Sequence, residues 1–130
     1  MNCLYCSHNQ TNVVNSRKPK TFNHIWRRRS CAQCKQLFTT KEAPDLSQVR
    51  VIKRSGKQEH FSYYKLLRSI DKALAAATLQ GDEIDMLGQN IVAHISVTPK
   101  STIYSSQLHK VVAESLRNYD KKAALRFDSF

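Results

Sequence analysis

The first chemistry this sequence offers is that of four thiols. Cys3, Cys6, Cys31 and Cys34 form two C-x2-C pairs with 24 residues between them, and the 96 residues that follow contain no cysteine. A two-residue gap lets both sulfurs of a knuckle face one ion while nearby backbone N–H groups share the thiolate charge. Two such knuckles complete a closed tetrahedral zinc site. A pair of disulfides or an iron–sulfur cluster are the other outcomes open to four cysteines, and a reducing interior disfavours the disulfides. Four sulfurs leave no open position for a substrate water, so one structural Zn2+ is the expectation, with no catalytic role. His8 and His24 lie near the knuckles but are not needed as ligands, and both are expected as surface or contact residues. The apolar residues nearby (Leu4, Val13, Val14, Phe22, Ile25, Trp26, Leu37 and Phe38) are too few to hold about 40 residues together unaided. Removing the metal should therefore unfold this segment.

Charge points to the partner. Residues 1–41 carry Arg17, Lys18, Lys20, Arg27, Arg28, Arg29, Lys35 and Lys41 with no acidic residue before Glu42, within a chain of formal charge +11. Residues 24–29 read as a strand, which puts Arg27 and Arg29 on one face and Arg28 on the other. Paired guanidinium forks beside Trp26 suit phosphates or guanine edges. The bland alternative is a solvated charge run. Three consecutive arginines without a nearby carboxylate favour nucleic acid, with Arg17, Lys18, Trp26, Arg27, Arg28, Arg29 and Lys35 as candidate contacts to double-stranded DNA.

Length and composition bound the rest. At 130 residues, 41% hydrophobic, with 3 Gly and 3 Pro, the chain holds one ordinary domain or two small ones, and is neither a disordered tail nor a collagen-like repeat. No stretch approaches the roughly 18 apolar residues of a membrane span, and residues 1–10 lack the apolar run of a signal peptide. A cytoplasmic protein is expected.

The elements that position these groups divide in two. Residues 1–42 read as a small β zinc ribbon and 43–48, interrupted by Pro44, as a linker. In residues 49–130, strand-like 49–54, a Ser55-Gly56 turn and 58–61 predict a β-hairpin. Ser62 then caps a helix with Leu66, Leu67, Ile70 and Leu74 on one face, running to the alanines at 75–77. Ile84, Leu87, Ile91 and Ile95 mark a second helix, slightly weakened by Gly88. After a turn at Pro99, Ser105 is the expected cap of a third helix striped by Leu108, Val111, Val112 and Leu116, and Asp120 that of a short fourth ending near Phe127. The fold class is α+β, with the second domain mainly helical. Lys53, Arg54 and Lys65, brought together by the hairpin and the helix N-terminus behind it, could converge on a polyphosphate, or be ordinary surface cations, which composition alone favours equally. No G-x4-G-K-[ST] motif is present.

Here a resemblance enters. Residues 51–61 (VIKRSGKQEHF), followed by Lys65-Leu66 and Ser69-Ile70, resemble the opening of an ATP-cone, the nucleotide-sensing module of ribonucleotide reductases. With an arginine run before a second C-x2-C, then Phe38-Thr39-Thr40, and Leu125-Arg126-Phe127 near the end, nearly the whole chain is similar to the NrdR family, bacterial repressors of ribonucleotide reductase genes. That resemblance implies backbone at Val51 around an adenine base, Lys53, Arg54 and Lys65 on phosphates, and Glu59 near the base or sugar. His109 falls where some ATP-cones place a phosphate-contacting histidine, and Ser105 near their threonine. Ser62 stands where the family has Asn or Asp, and Ala124 where it has Tyr, a side chain that can serve nucleotide contact or oligomer packing.

The implied function is a nucleotide-responsive repressor. The ribbon would bind operator DNA, while ATP or dATP on the cone selects a homo-oligomer that does or does not match the operator, dATP giving the stronger repression. An enzyme is not expected, since the zinc is saturated by sulfur and neither paired carboxylates nor a Cys-His nucleophile stands out. The alternative is a zinc-ribbon nucleic-acid-binding accessory protein without nucleotide sensing.

Overall fold

The computed structural model describes residues 1–20, 23–74 and 81–130. Phe22 and the expected helical run at 75–77 lie outside the described residues. Two compact units are present, Met1–Pro44 and Asp45–Phe130.

In the first unit, β1 (Thr11–Arg17), β2 (Ile25–Cys31) and β3 (Leu37–Glu42) form an antiparallel sheet with β2 at its centre. β2 runs straight into the second knuckle, so the arginine strand and the sulfur cluster share one piece of backbone. Each knuckle closes through an N–H four residues on: Ser7 N donates to Cys3 O at 3.0 Å and Lys35 N to Cys31 O at 3.2 Å. The closing residues take left-handed backbone, Ser7 at φ 63° and Lys35 at φ 62°. Cys3, Cys31 and Phe38, with Cys34 against them, make up the buried cluster. So small a cluster cannot hold a sheet by burial alone.

Of the two places open to His24, surface or contact, it takes the second: it is 6% exposed, its ring stacked on Trp26 with centroids 5.7 Å apart and planes 20° apart. It sits just ahead of the strand, where its ring packs behind the indole.

In the second unit, β4 (Arg50–Ile52) and β5 (Gln58–His60) form the expected hairpin around Gly56, whose φ of 84° suits glycine. Ser62 caps α1 (Tyr63–Ala73), its side chain accepting from Lys65 N, and Asp120 likewise caps α4 (Lys121–Asp128) through Lys122 N. Between them lie α2 (Gly81–His94) and α3 (Ser105–Tyr119).

A third strand, β6 (Thr102–Tyr104), pairs parallel to β4 and was not foreseen. Three residues are too few to set up an alternation, and the pairing depends on contacts distant in sequence, such as Arg50 N donating to Ser101 O at 2.9 Å. The strand also moves the helix start. Tyr104, not Ser105, is the N-cap of α3, its N–H bonded to Gln107 Oε1 at 3.3 Å, and Ser105 is already helical.

Val51, Ile103, Leu66, Ile70, Ile91, Val112, Leu116 and Phe127 bring all four helices onto one face of this sheet. Ile70, Leu74, Ile91, Ile103 and Leu116 are 2% exposed or less. Burying each contributes about 1.5–3 kcal/mol. Gly88 has a packing reason: a Cβ there would stand 2.7 Å from both Leu67 Cδ2 and Tyr63 Oη. Among the described residues no helix is long and apolar enough to cross a membrane.

Candidate metal centre, basic sheet and nucleotide cavity

The four sulfurs lie within 4.8 Å of one another, with Cys3 Sγ to Cys34 Sγ and Cys6 Sγ to Cys31 Sγ each at 3.6 Å. All four cysteines are free thiols. A tetrahedral zinc with bonds of about 2.3 Å needs sulfurs about 3.8 Å apart, so the donor set fits. Tyr5 N points at Cys3 Sγ from 3.3 Å, and Gln33 N and Cys34 N at Cys31 Sγ from 3.3 and 3.4 Å, ready to stabilise thiolate charge. Burial pushes the Cys31 thiol up, but the N–H groups of Cys34 and Gln33 and the neighbouring sulfurs outweigh it and bring it down to about 6. At Cys34 the Gln36 N–H favours the thiolate, yet burial and the three other sulfurs push it up to about 12. Crowded thiolates of this kind are what a divalent cation relieves.

On the sheet the three arginines diverge as the alternation predicts. Arg27 donates to Ser16 Oγ at 3.1 Å and pairs with Glu42 at 3.5 Å, and Arg29 Nε donates to Thr40 Oγ1 at 3.0 Å. Arg28 faces the other way and donates to Thr39 Oγ1 at 3.0 Å. Trp26 belongs to the Arg28 face, not to the face of Arg27 and Arg29 as its adjacency in sequence implied. It lines a groove with Asn15, Arg17, Arg28 and Thr39. Lys18 is exposed just past β1, and Lys35 Nζ is bonded to Ala32 O at 2.8 Å at the second knuckle.

In the second unit a cavity of about 210 Å³ opens between the hairpin, the start of α1, and α3. Val51, Glu59, Ser62, Lys65, Ser105 and His109 line it, six of the eight residues expected at a nucleotide. Lys53 is not in the lining but reaches its edge through Glu59, whose Oε2 takes Lys65 Nζ at 3.2 Å and Lys53 Nζ at 3.4 Å. Lys65 first, opposed by partial burial, and then Lys53 hold the Glu59 carboxyl below the usual range. Arg54 stays in the exposed hairpin turn, outside the lining. The remaining wall was missed: His60, Phe61, Leu66, Ser69, Leu108, Val112 and Phe127. Phe127 carries the His109 ring flat against it at 4.5 Å, and His109 Nε2 lies 3.0 Å from Asp128 Oδ1. Arg126 Nε, donating to Ala73 O at 2.6 Å, holds α4 on α1. The signal for this part of the wall is the Leu125-Arg126-Phe127 run, which the sequence offers as a helix end and as part of the family resemblance but not as a cavity wall.

With this geometry in place, the comparisons decide the family. Residues 1–42 match the family model described as the N-terminal domain of NrdR-like transcriptional repressors, and residues 49–130 match the ATP cone domain. The chain belongs to the NrdR family. It is 35% identical over 129 residues to a Transcriptional repressor NrdR from Petrotoga mobilis, covering 99% of this chain and 86% of that protein. A relative of the same name from Maricaulis maris is 36% identical, with 99% and 80% covered, and one from Picosynechococcus is 34% identical, with 99% and 71% covered. These relatives are named for a regulatory role and not for an enzymatic one. The NrdR-like ribbon is the unit whose sulfurs fit zinc, and the ATP-cone is the unit that holds the cavity. Ala124 is 2% exposed in the core of that cone.

Proposed function

We propose that this chain is a cytoplasmic transcriptional repressor that binds operator DNA of ribonucleotide reductase genes through its ribbon and responds to ATP and dATP through its cone. The observation that carries the reading is at the cavity edge, where a single carboxylate, Glu59, answers two ammonium groups, Lys53 and Lys65. One positive charge is left over. A polyphosphate entering there meets Lys65 and the N-terminus of α1, whose dipole favours anions, and draws Lys53 from Glu59. Val51, Phe61 and Leu66 supply apolar wall for a base, Glu59 and Ser62 supply acceptors for its edge or the sugar, and Ser105 and His109 close the side formed by α3.

Zinc bound by Cys3, Cys6, Cys31 and Cys34 ties the two knuckles together and so fixes the strand that carries the arginines. One ribbon offers few contacts to DNA, so paired ribbons in a homo-oligomer multiply a weak interaction. ATP and dATP must favour different assemblies, because a ligand with equal affinity for both states shifts neither. The dATP-bound assembly is the stronger repressor.

The test is mass-resolved oligomer size, together with binding to a reductase promoter fragment at fixed salt, with ATP, with dATP and with neither. Three separable curves are expected. Promoter binding that ignores both nucleotides would leave only a zinc-ribbon accessory protein.

A further inference from the structure

The two faces of the ribbon sheet are not equivalent, and the register says how they differ. Residues directly opposite in neighbouring strands share a face. Arg17 and Lys41 stand opposite Trp26 on either side, and Asn15 and Thr39 stand opposite Arg28 on either side. One face therefore carries two adjacent rows: two cations flanking an indole, and an amide and a hydroxyl flanking a guanidinium. No carboxylate stands in either row. Trp26 is 47% exposed, with the His24 ring stacked on it, and it shares a groove with Asn15, Arg17, Arg28 and Thr39. The irregularity between Val13 and Asn15 is what restores Asn15 to this face: Val13 opposes Arg29, and Asn15 opposes Arg28. On the other face Arg27 is tied to Ser16 and Glu42, and Arg29 to Thr40. Those two side chains are half-buried whereas Arg28 is exposed, and the charge of Arg27 is already met by a carboxylate.

We infer that the Arg17–Trp26–Arg28 face, and not the Arg27–Arg29 face, meets duplex DNA, with Arg28 and Asn15 reading base edges while Arg17 and Lys41 grip phosphates. This rests on the proposed DNA-binding function and divides labour within it. Arg28 suits the reading role because Thr39 holds one of its nitrogens at 3.0 Å, fixing the direction of a planar fork that matches guanine O6 and N7. Asn15 beside it offers the amide that pairs with adenine N6 and N7. Arg17 and Lys41 stand one on each side of the indole in the register, with no carboxylate opposite either, and such charge is what phosphates use.

The experiment is selection from a randomised pool of DNA duplexes by the full-length zinc-loaded protein, followed by a salt series on the enriched sequence. Zinc content is measured for every variant as the check on folding. Arg28→Lys keeps the charge and loses the fork. It should abolish the preference at one base pair, weaken binding to the enriched sequence by about 10- to 100-fold, and leave the salt slope unchanged. Arg17→Gln should keep the enriched sequence and lower the salt slope by about one. Arg27→Gln and Arg29→Gln should change neither readout and should lower the melting temperature of the ribbon. A zinc-loaded Arg27→Gln or Arg29→Gln protein with an altered sequence preference or salt slope would overturn the assignment, as would an Arg28→Lys protein that selects the wild-type sequence. If the wild-type protein enriches no duplex at all, it is the DNA-binding function that fails.

Discussion

Lys65 Nζ stands 3.2 Å from Glu59 Oε2, an ion pair that spans the hairpin and the first turn of α1 at the edge of the cavity. The lysine side chain is 65% exposed, so a ligand phosphate can take it without breaking any packing. Lys65→Met should weaken binding of ATP and dATP by about 10- to 100-fold, the worth of a charge-assisted hydrogen bond. Lys53→Met should have a smaller effect, because its ammonium approaches only through Glu59. Calorimetric titration with nucleotide separates the two, and adenosine, which has no phosphates, serves as the control that neither substitution should disturb.

The same carboxylate sets a pH dependence. Glu59 has its pKa lowered from the usual 4.5 in the folded chain, chiefly by Lys65 and against its partial burial. The unfolded chain then binds the proton more readily than the folded one. The stabilisation is therefore fully present above about pH 4.5 and is lost as pH falls through the depressed folded value. Urea midpoints measured from pH 6 to pH 3 should fall less steeply for Glu59→Gln than for the wild type. Parallel curves would mean that the ion pairs to Glu59 contribute nothing to stability.

What could be read in the sequence was whatever depended on short-range spacing. Two C-x2-C pairs, alternation through Arg27, Arg28 and Arg29, the Ser62 and Asp120 caps, and the hairpin around Gly56 are all written within a few residues. Of what escaped, the face of Trp26 lay within reach of the same alternation, and the rest depends on packing or on pairing between segments. Trp26 follows its strand onto the Arg28 face, although its neighbour in sequence is Arg27. His24 is buried by a ring two residues away in sequence, and no periodicity marks it as interior. β6 exists only because β4 offers an edge to Thr102–Tyr104. Phe127 joins the cavity wall only because Arg126 fastens α4 to the end of α1. Half of a nucleotide cavity is polar and leaves motifs, whereas the other half is core, and a core residue in a cavity wall reads like any other.

Removing the metal offers a clean separation of the two units. The single tryptophan, Trp26, lies in the ribbon, while among the described residues all four helices lie in the second unit. The buried cluster of the ribbon is Cys3, Cys31 and Phe38, whereas the cone has its own larger core. A strong zinc chelator should shift Trp26 fluorescence to that of a solvated indole and abolish DNA binding, while far-ultraviolet helical dichroism and nucleotide binding persist. Cys31→Ser should reproduce the chelated state, because it removes the sulfur that receives the Gln33 and Cys34 N–H groups. Loss of the helical signal on chelation would mean that the cone leans on the ribbon for its stability.

Gly88 provides the last test, and magnitudes decide its sign. Alanine gains about 1 kcal/mol of helix propensity over glycine. Its methyl group would stand 2.7 Å from Tyr63 Oη and from Leu67 Cδ2. The end of the leucine can turn aside, but the tyrosine hydroxyl is fixed, donating to Asp85 Oδ1 at 2.7 Å. Forcing a methyl into a packed contact costs about 1–3 kcal/mol, and displacing the hydroxyl loses a hydrogen bond of about 1 kcal/mol besides. Gly88→Ala should therefore destabilise the cone by about 1–3 kcal/mol. In a Tyr63→Phe background the oxygen is gone, although the ring carbon Cζ would remain 3.2 Å from the added methyl, and the same substitution should cost less. A double-mutant cycle in urea isolates the term. Equal costs in both backgrounds would show that the hydroxyl is not what keeps this position glycine.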